Sequence, residues 1–560
     1  VNIIDNFNEN LAPPGVLGRP QQTIKRRTLW LTWVLNVLFV AAMTFWCVAA
    51  FAADNIATQV LLLSKIQQEG SVRVLIKIAA PGYESSLSQS QRFTARTPYQ
   101  AASALHLHAD RNLEATINGA AATVLDRMPQ SAVQKLHVFT TIPYISARVD
   151  REGLLALSND PAVLRVEEDL ALPFPKPMPS ANGPDPTTIN SNLTQIGATN
   201  AWGQGYTGSG WYVAILDTGI RRTHEFFAGK TIVEACFTTK DNSYNPNARL
   251  CPNGLNEQYG IGAAAHYSED TSYHGTHVAG IAAGNKADGT LAGVAKDASI
   301  VAVQVFSNDF AGGDILSWSS DQLRGLEYVY SLRGQYSIAA ANMSLGGGRN
   351  YADCDSNSLK AVIDNLRSVG IATAIASGND GYCDSISTPS CISTAVSVGA
   401  VDSTDTKASF SNWRASMVEL FAPGVSINSS IGSSDTSYAQ YSGTSMATPH
   451  VAGAWVLAKQ SLNAATVDQV LSALTSTSQN VTFATCSNPA GITKRIQVET
   501  ALTALAGVAT VTTSTTSAIT TTTASSGGDV TSEGSSSVTA RGVCWNTLGT
   551  PTTADSKTTD

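Results

Sequence analysis

From Trp211 onward, short apolar runs spaced like strands alternate with amphipathic runs spaced like helices. Trp211–Leu216, Ile300–Phe306, Ile338–Met343, Ile371–Ala376 and Val396–Val401 read as strands, and Leu316–Leu332 and Leu359–Val369 as helices between them. Such alternation predicts an α/β domain, a parallel sheet with helices on both faces. The active sites of sheets of this kind lie at the carboxyl ends of the strands.

The sheet is one unit among several. At 560 residues the chain exceeds a single core, and about 150 residues per domain suggests three or four. Its 35 Lys+Arg against 43 Asp+Glu give a formal charge of -8, which offers nucleic acid no electrostatic reason to bind and excludes it as a partner.

Near the start, Lys25, Arg26 and Arg27 precede an almost wholly apolar run from Leu29 to Ala53 that ends in Ala50-Phe51-Ala52-Ala53. A basic head, an apolar body and small residues at A-x-A spacing predict an export signal in residues 1–52, cut after Ala52. The competing reading is an uncleaved membrane helix, for which about 20 apolar residues suffice. Cys47 is discarded with the signal.

Between the signal and the sheet, VRVLIKI at Val72–Ile78 and the stretch His137–Asp150 are strand-like, and Arg151–Ser158 has helical spacing, so a small α+β unit is expected. Six prolines then fall between Leu172 and Pro186, the mark of an extended, exposed linker that a protease could cut. After about Gly507 the composition turns to Thr, Ser and Gly, with Val530, Val538, Val543 and Trp545 recurring as core positions of a partial β module.

Three islands carry the chemistry. Val213-Ala214-Ile215-Leu216-Asp217-Thr218-Gly219 sets a carboxylate at the end of a buried strand. Asp-Thr-Gly also marks aspartic proteases, but those need a second such loop to share a proton, and none follows a strand here. His274-Gly275-Thr276-His277-Val278-Ala279-Gly280 opens an apolar helix. Two imidazoles three apart could be half a metal site, yet no H-E-x-x-H and no cysteine cluster adjoins them, and His224-Glu225 offers no second histidine. No metal is expected there.

In Gly443-Thr444-Ser445-Met446-Ala447-Thr448-Pro449-His450-Val451-Ala452-Gly453, Ser445 begins a helix, with Pro449 expected within its first turn, where N–H groups have no intrahelical partner. The helix dipole and open N–H groups favour the negative charge formed when an acyl carbon is attacked. A serine needs a base, and the base needs a carboxylate to fix its tautomer. His274 and Asp217 supply both. Each alone has a plain structural role as cap, core histidine or turn former; the order Asp, His, Ser makes coincidence the poorer explanation.

These islands resemble the active-site motifs of subtilisin-like serine proteases, nearest to the proteinase K branch, over about Ile196–Leu505. The resemblance implies an Asp217, His274, Ser445 triad. In Ile375-Ala376-Ser377-Gly378-Asn379 it implies that Asn379 donates to the oxyanion. In Ser344-Leu345-Gly346-Gly347 it implies that Ser344, Leu345 and Gly346 pair with peptide substrate and line its pocket. It further implies that Ser71–Leu170 is an inhibitory prodomain whose tail lies in the cleft until cut, within the Pro-rich segment or soon after it and before Ile196.

The chemistry needs no cofactor, while structural calcium is frequent in the family; Glu419, two residues before Phe421-Ala422-Pro423-Gly424, stands where the proteinase K pattern has Asp. The C-terminal piece SVTARGVCWNTLGTPTTADSKTTD resembles the start of a fibronectin-type-III-like repeat of bacterial exported proteins. The expected organisation is therefore 1–52 signal region, 53–188 prodomain and linker, 189–507 protease domain and 508–560 partial repeat.

The expected function is that of a serine endopeptidase made as an autoinhibited precursor, monomeric, secreted or at the surface of a bacterium, with protein or peptide substrates and its own prodomain as inhibitor. The rivals are a non-catalytic surface binding protein on the same fold and a membrane-tethered processing protease. Six cysteines, Cys236, Cys251, Cys354, Cys383, Cys391 and Cys486, predict three disulfides among 15 connectivities. Cys236–Cys251 and Cys383–Cys391 close the shortest loops, and Cys544 belongs to the tail. The glycines Gly346, Gly347, Gly348 and Gly378 predict room for a large apolar side chain.

Overall fold

The computed structural model describes residues 56–91, 99–173, 178–179, 191–239, 251–266, 273–307, 315–484, 486 and 494–507, with short stretches after 510. The expected export signal lies outside the described residues. The chain divides into two compact units, Val1–Gly70 and Ser71–Asp560. Of the first, residues 56–69 form a helix, α1. Among the described residues no helix is long and apolar enough to cross a membrane.

The second unit begins with a four-stranded antiparallel sheet built from β1 (Val72–Ile78), β2 (Val133–Val138), β3 (Tyr144–Val149) and β4 (Val163–Glu168), in the order β2-β3-β1-β4. Its helices are α2 (Tyr83–Gln91), α3 (Tyr99–Leu125) and α4 (Arg151–Asn159). Asp150 starts α4 by accepting the Gly153 N–H at 2.9 Å, the side-chain cap that a first-turn donor requires. This is the small α+β unit that the sequence predicts.

Beyond the linker, β7 (Tyr212–Asp217), β8 (Ile232–Phe237), β9 (Glu257–Tyr259), β10 (Ser299–Gln304), β12 (Ile338–Met343), β14 (Ala372–Ala376), β16 (Val396–Val401) and β17 (Leu420–Pro423) form an eight-stranded sheet. The order is β17-β16-β14-β12-β7-β10-β8-β9, parallel except for β9. Alternate residues of one strand face opposite ways. Val213 and Ile215 accordingly join a core with α7 (His274–Ala283), α10 (Thr444–Ser461), α11 (Val467–Ser476) and α12 (Val498–Ala506). Ala214 and Leu216 join the opposite core, with α8 (Ser319–Ser331) and α9 (Leu359–Ser368).

Two helical expectations shift. Leu316–Leu332 is not one helix: β11 (Leu316–Trp318) pairs antiparallel with β5 (Ala171–Pro173), and α8 starts only at Ser319. The pairing partner comes from far away in the chain and overrides local periodicity. Pro449 lies a turn deeper in α10 than expected, the sixth of its residues.

Three disulfides form, Cys236–Cys251, Cys354–Cys391 and Cys383–Cys486. The expected Cys383–Cys391 bridge is wrong, because β15 (Ile386–Thr388) runs extended between the two and pairs with β13 (Gly347–Asn350). That path carries Cys391 to Cys354, whose N–H donates to the Cys391 carbonyl at 3.0 Å.

In the tail, Thr510–Thr513 pairs with Gly528–Ser532 and Cys544–Trp545 with Ser556–Lys557. The expected core positions there are not buried, and Trp545 is 52% exposed.

Candidate active site

The strand order reverses at β7, where a crevice opens between carboxyl ends. Leu216 of β7 stands opposite Met343 of β12. The next residues, Asp217 and Ser344, therefore leave the sheet side by side.

His274 meets Asp217 there. Its Nδ1 lies 2.8 Å from Asp217 Oδ1, with both side chains 1% exposed. Oδ1 also accepts the Thr218 N–H at 2.8 Å, and the Thr218 hydroxyl accepts the Gly275 N–H at 3.0 Å. The start of α7 is thus fastened to the end of β7. Only glycine fits at 275, since a Cβ would stand 2.2 Å from the Gly219 carbonyl oxygen and 3.2 Å from Asp217 Oδ1.

Ser445, 2% exposed, is the second residue of α10. The helix is buried from Thr444 to Lys459, as expected of one apolar on all sides. Pro449 has no N–H to give the Ser445 carbonyl, and the Ser344 hydroxyl donates to that oxygen instead, at 2.8 Å. Ser445 Oγ donates back to the Ser344 carbonyl at 3.3 Å. Strand β12 and helix α10 are joined at the crevice by this pair of contacts.

Asn379, three residues beyond β14, accepts the Thr444 N–H and the Thr444 hydroxyl through Oδ1, both at 2.8 Å. With the oxygen so occupied, the donor end of the amide is left for the crevice. Asn379, Ser445, Leu345 and Gly346 line one cleft of about 340 Å³, together with Pro173 and Asp380. The cleft loop is held from behind by Asn412, whose Oδ1 accepts the N–H groups of Asp380 (2.9 Å) and Tyr382 (3.1 Å) and whose amide donates to Asp380 Oδ2 at 3.0 Å. A Cβ at Gly378 would come within 2.2 Å of the same amide, and its φ of 108° excludes other residues without strain.

Sequence reasoning missed Thr444, Asn412 and Asp380. Thr444 lay in view, next to Ser445. Nothing in the local sequence marks Asn412 or places Asp380 on the wall of the cleft. Arg349, on the rim, is already paired with Asp384 at 2.8 Å and lies over the Tyr382 ring at 4.2 Å.

His277, the second imidazole of its island, is neither a base nor a ligand. Its Nε2 donates to the carbonyls of Ile427 (3.1 Å) and Ala439 (3.0 Å), and the ring stacks on Tyr441. Burial first, and the neighbouring His274 in part, push its pKa down to about 3, so it stays neutral. Among the described residues no three Asp, Glu, His or Cys side chains gather as a metal would require. Glu419 is engaged on one oxygen, its Oε2 accepting the Ser397 N–H at 2.7 Å.

The N-terminal sheet unit packs against the helices beside this cleft. Asp169 caps α8, accepting the N–H (2.9 Å) and hydroxyl (2.8 Å) of Ser320, while Arg73 binds its Oδ2 at 2.7 and 3.0 Å. Glu167 accepts the N–H of Ser358, the residue before α9, at 2.9 Å. Acids at helix starts complement both the open N–H groups and the dipole. Glu327 of α8 receives the N–H groups of Thr140 and Thr141 and the Thr141 hydroxyl.

Residues 208–495 match the subtilase family. The chain is 36% identical to subtilisin E of Bacillus subtilis (strain 168) over 324 residues, 57% of this chain and 71% of that protein. It is 34% identical to an alkaline protease of Shouchella clausii over 342 residues, 60% and 74%, and 37% identical to a subtilisin of Bacillus pumilus over 274 residues, 48% and 84%. A match over half the chain, with relatives covered over more than two thirds of their length, establishes that this protein belongs to the subtilase family.

Proposed function

We propose that this serine endopeptidase works through Asp217, His274 and Ser445, and that it is made as an exported, autoinhibited precursor. Ser445 Oγ turns from the Ser344 carbonyl to His274, gives up its proton and attacks the peptide carbonyl. His274 returns the proton to the leaving amine, and water then releases the acyl group by the same route. Asp217 fixes the tautomer and steadies the imidazolium. The Asn379 amide and the Ser445 N–H, which has no intrahelical acceptor so early in α10, receive the oxyanion.

The observation that carries the reading is the buried 2.8 Å contact of His274 Nδ1 with Asp217 Oδ1, at the strand end beside the one that holds Ser445. Substrates are proteins or peptides that pair with the segment from Ser344 to Gly346. The unit Ser71–Leu170 is read as the inhibitor, because its acids cap the two helices next to the cleft and its continuation β5 occupies an edge of the cleft.

A fluorophosphonate probe tests the nucleophile: the mature chain takes up the label and Ser445→Ala does not. Labelling that survives this substitution rejects Ser445.

A further inference from the structure

Gln304 ends β10 beside the triad acid. Alternate residues of a strand face opposite ways. Ile300 and Ala302 lie in the core on the α7 side, whereas Val301, Val303 and Val305 lie in the opposite core, so Gln304 points to the α7 side. The same alternation sends Asp217 there, in line with Val213 and Ile215, and sends Cys236 there, since Ala235 and Phe237 face the other way. Gln304 stands in register with both, Asp217 on one neighbouring strand and Cys236 on the other.

Gln304 is 0% exposed and Asp217 1%. Neither the oxygen nor the nitrogen of the Gln304 amide has a hydrogen-bond partner, and Asp217 Oδ2 has none either. Buried polar groups are as a rule hydrogen-bonded, so an amide and a carboxylate oxygen orphaned on adjacent rungs of one sheet face are natural partners. Cys236 is a poor alternative, because its sulfur is bonded to Cys251 and accepts only weakly.

The carboxylate needs a second hold. Its terminal torsion is broad and two-fold. Contacts with Thr218 and His274 at Oδ1 fix one oxygen and leave the plane free to tilt. A donor at Oδ2 sets the plane, and with it the line along which Oδ1 meets His274 Nδ1.

We infer that Gln304 is a positioning residue of the triad: through one buried water shared between β7 and β10, its amide supplies the donor for Asp217 Oδ2 and keeps the carboxylate aimed at His274. The two strands lie about 4.8 Å apart, and the amide reaches one carbon further than the carboxylate. One water spans that offset, accepting the Nε2 N–H and donating to Oδ2. The inference rests on the serine endopeptidase reading above and adds the residue that orients its acid.

The test uses enzyme made from the full chain, wild type and Gln304→Met, which keeps the size of the side chain and removes its donor. On a peptide substrate, kcat and KM are read per active site, counted by fluorophosphonate titration, together with the far-downfield proton resonance of the hydrogen bond between His274 and Asp217. In the variant kcat should fall about tenfold or more, the scale of one hydrogen bond to a charged group, with KM unchanged and the resonance displaced. A residue that only supports the fold would lower the number of active sites and leave the rate of each and the resonance as they were, and that result overturns the inference. So does a raised KM with kcat unchanged. A crystal structure of the wild type at high resolution decides independently of whether the variant folds: one water should lie within hydrogen-bond distance of both Gln304 Nε2 and Asp217 Oδ2, and a site without it overturns the inference. A wild type that takes up no fluorophosphonate rejects the serine mechanism and the part of Gln304 with it, whereas a labelled wild type with an unchanged variant rejects Gln304 alone.

Discussion

Asn379 could turn either end of its amide toward a substrate, and Thr444 decides which. Two donors from Thr444 meet Oδ1, so the amide N–H faces the cleft, ready before any charge develops. Replacing Asn379 by Ala should lower kcat by about 10² to 10³, the usual effect of removing one oxyanion donor, with KM little changed. Steady-state kinetics on a peptide substrate decide this, and a raised KM with kcat unchanged would make Asn379 a binding residue. Glu419 is the residue to follow with pH. Burial, only partly offset by the Ser397 hydrogen bonds, pushes its pKa up to about 7. The folded state therefore holds this proton more tightly than the unfolded chain, whose glutamate titrates near 4.5. Its contribution to stability is complete below that lower value and is lost as pH rises through 7, at about 1.4 kcal/mol per unit and roughly 3 kcal/mol at most. Glu419→Gln should flatten the stability profile over that window and leave the variant more stable than wild type above pH 7, measured by denaturant unfolding.

At the scale of elements, the joint between β12 and α10 shows how a missing donor is used. Pro449 leaves the Ser445 carbonyl without a helical partner, and Ser344 supplies one. Ser344→Ala should strand that buried oxygen and cost about 1 to 3 kcal/mol. With Pro449→Ala in the same chain, the new N–H at 449 can reach the carbonyl, so the cost of losing Ser344 should shrink. A double-mutant cycle by chemical denaturation measures the coupling, and strict additivity would mean the two residues act apart. The same elements show what a sequence reveals. Ile338–Met343 and Val396–Val401 coincide residue for residue with β12 and β16, because strands buried on both faces are apolar throughout and bounded by turns. Asp217, His274 and Ser445 were legible because strand ends and helix starts mark their positions locally. Leu316–Trp318 was not, since β5 supplies its partner from another part of the chain. Asp169 and Glu167 reach the starts of α8 and α9, respectively, only through the fold. Thr444, Asn412 and Asp380 act through contacts that only the folded loop creates.

At the scale of the molecule, the disulfides distribute stability unevenly. Cys236–Cys251 spans 15 residues and ties the end of β8 to the segment before β9, whereas Cys383–Cys486 spans 103 and ties the loop beside the cleft to the segment beyond α11. A cross-link stabilises chiefly by restricting the unfolded chain, and a longer loop loses more freedom. In that account the long bridge contributes about 4 to 5 kcal/mol and the short one about 3. The long bridge also encloses the chain from Cys383 through Ser445 to Cys486, so its loss releases the cleft loop from a small core of Ile386, Cys391, Trp413, Phe421 and Cys486. Replacing Cys383 and Cys486 by Ser should therefore lower the midpoint of denaturant unfolding more than replacing Cys236 and Cys251, and should raise KM as the wall formed by Asp380 and Tyr382 loosens. Equal losses from the two pairs would show that the unfolded chain is already ordered between 383 and 486. An unchanged KM would show that Asn412 holds the cleft loop without help from the bridge.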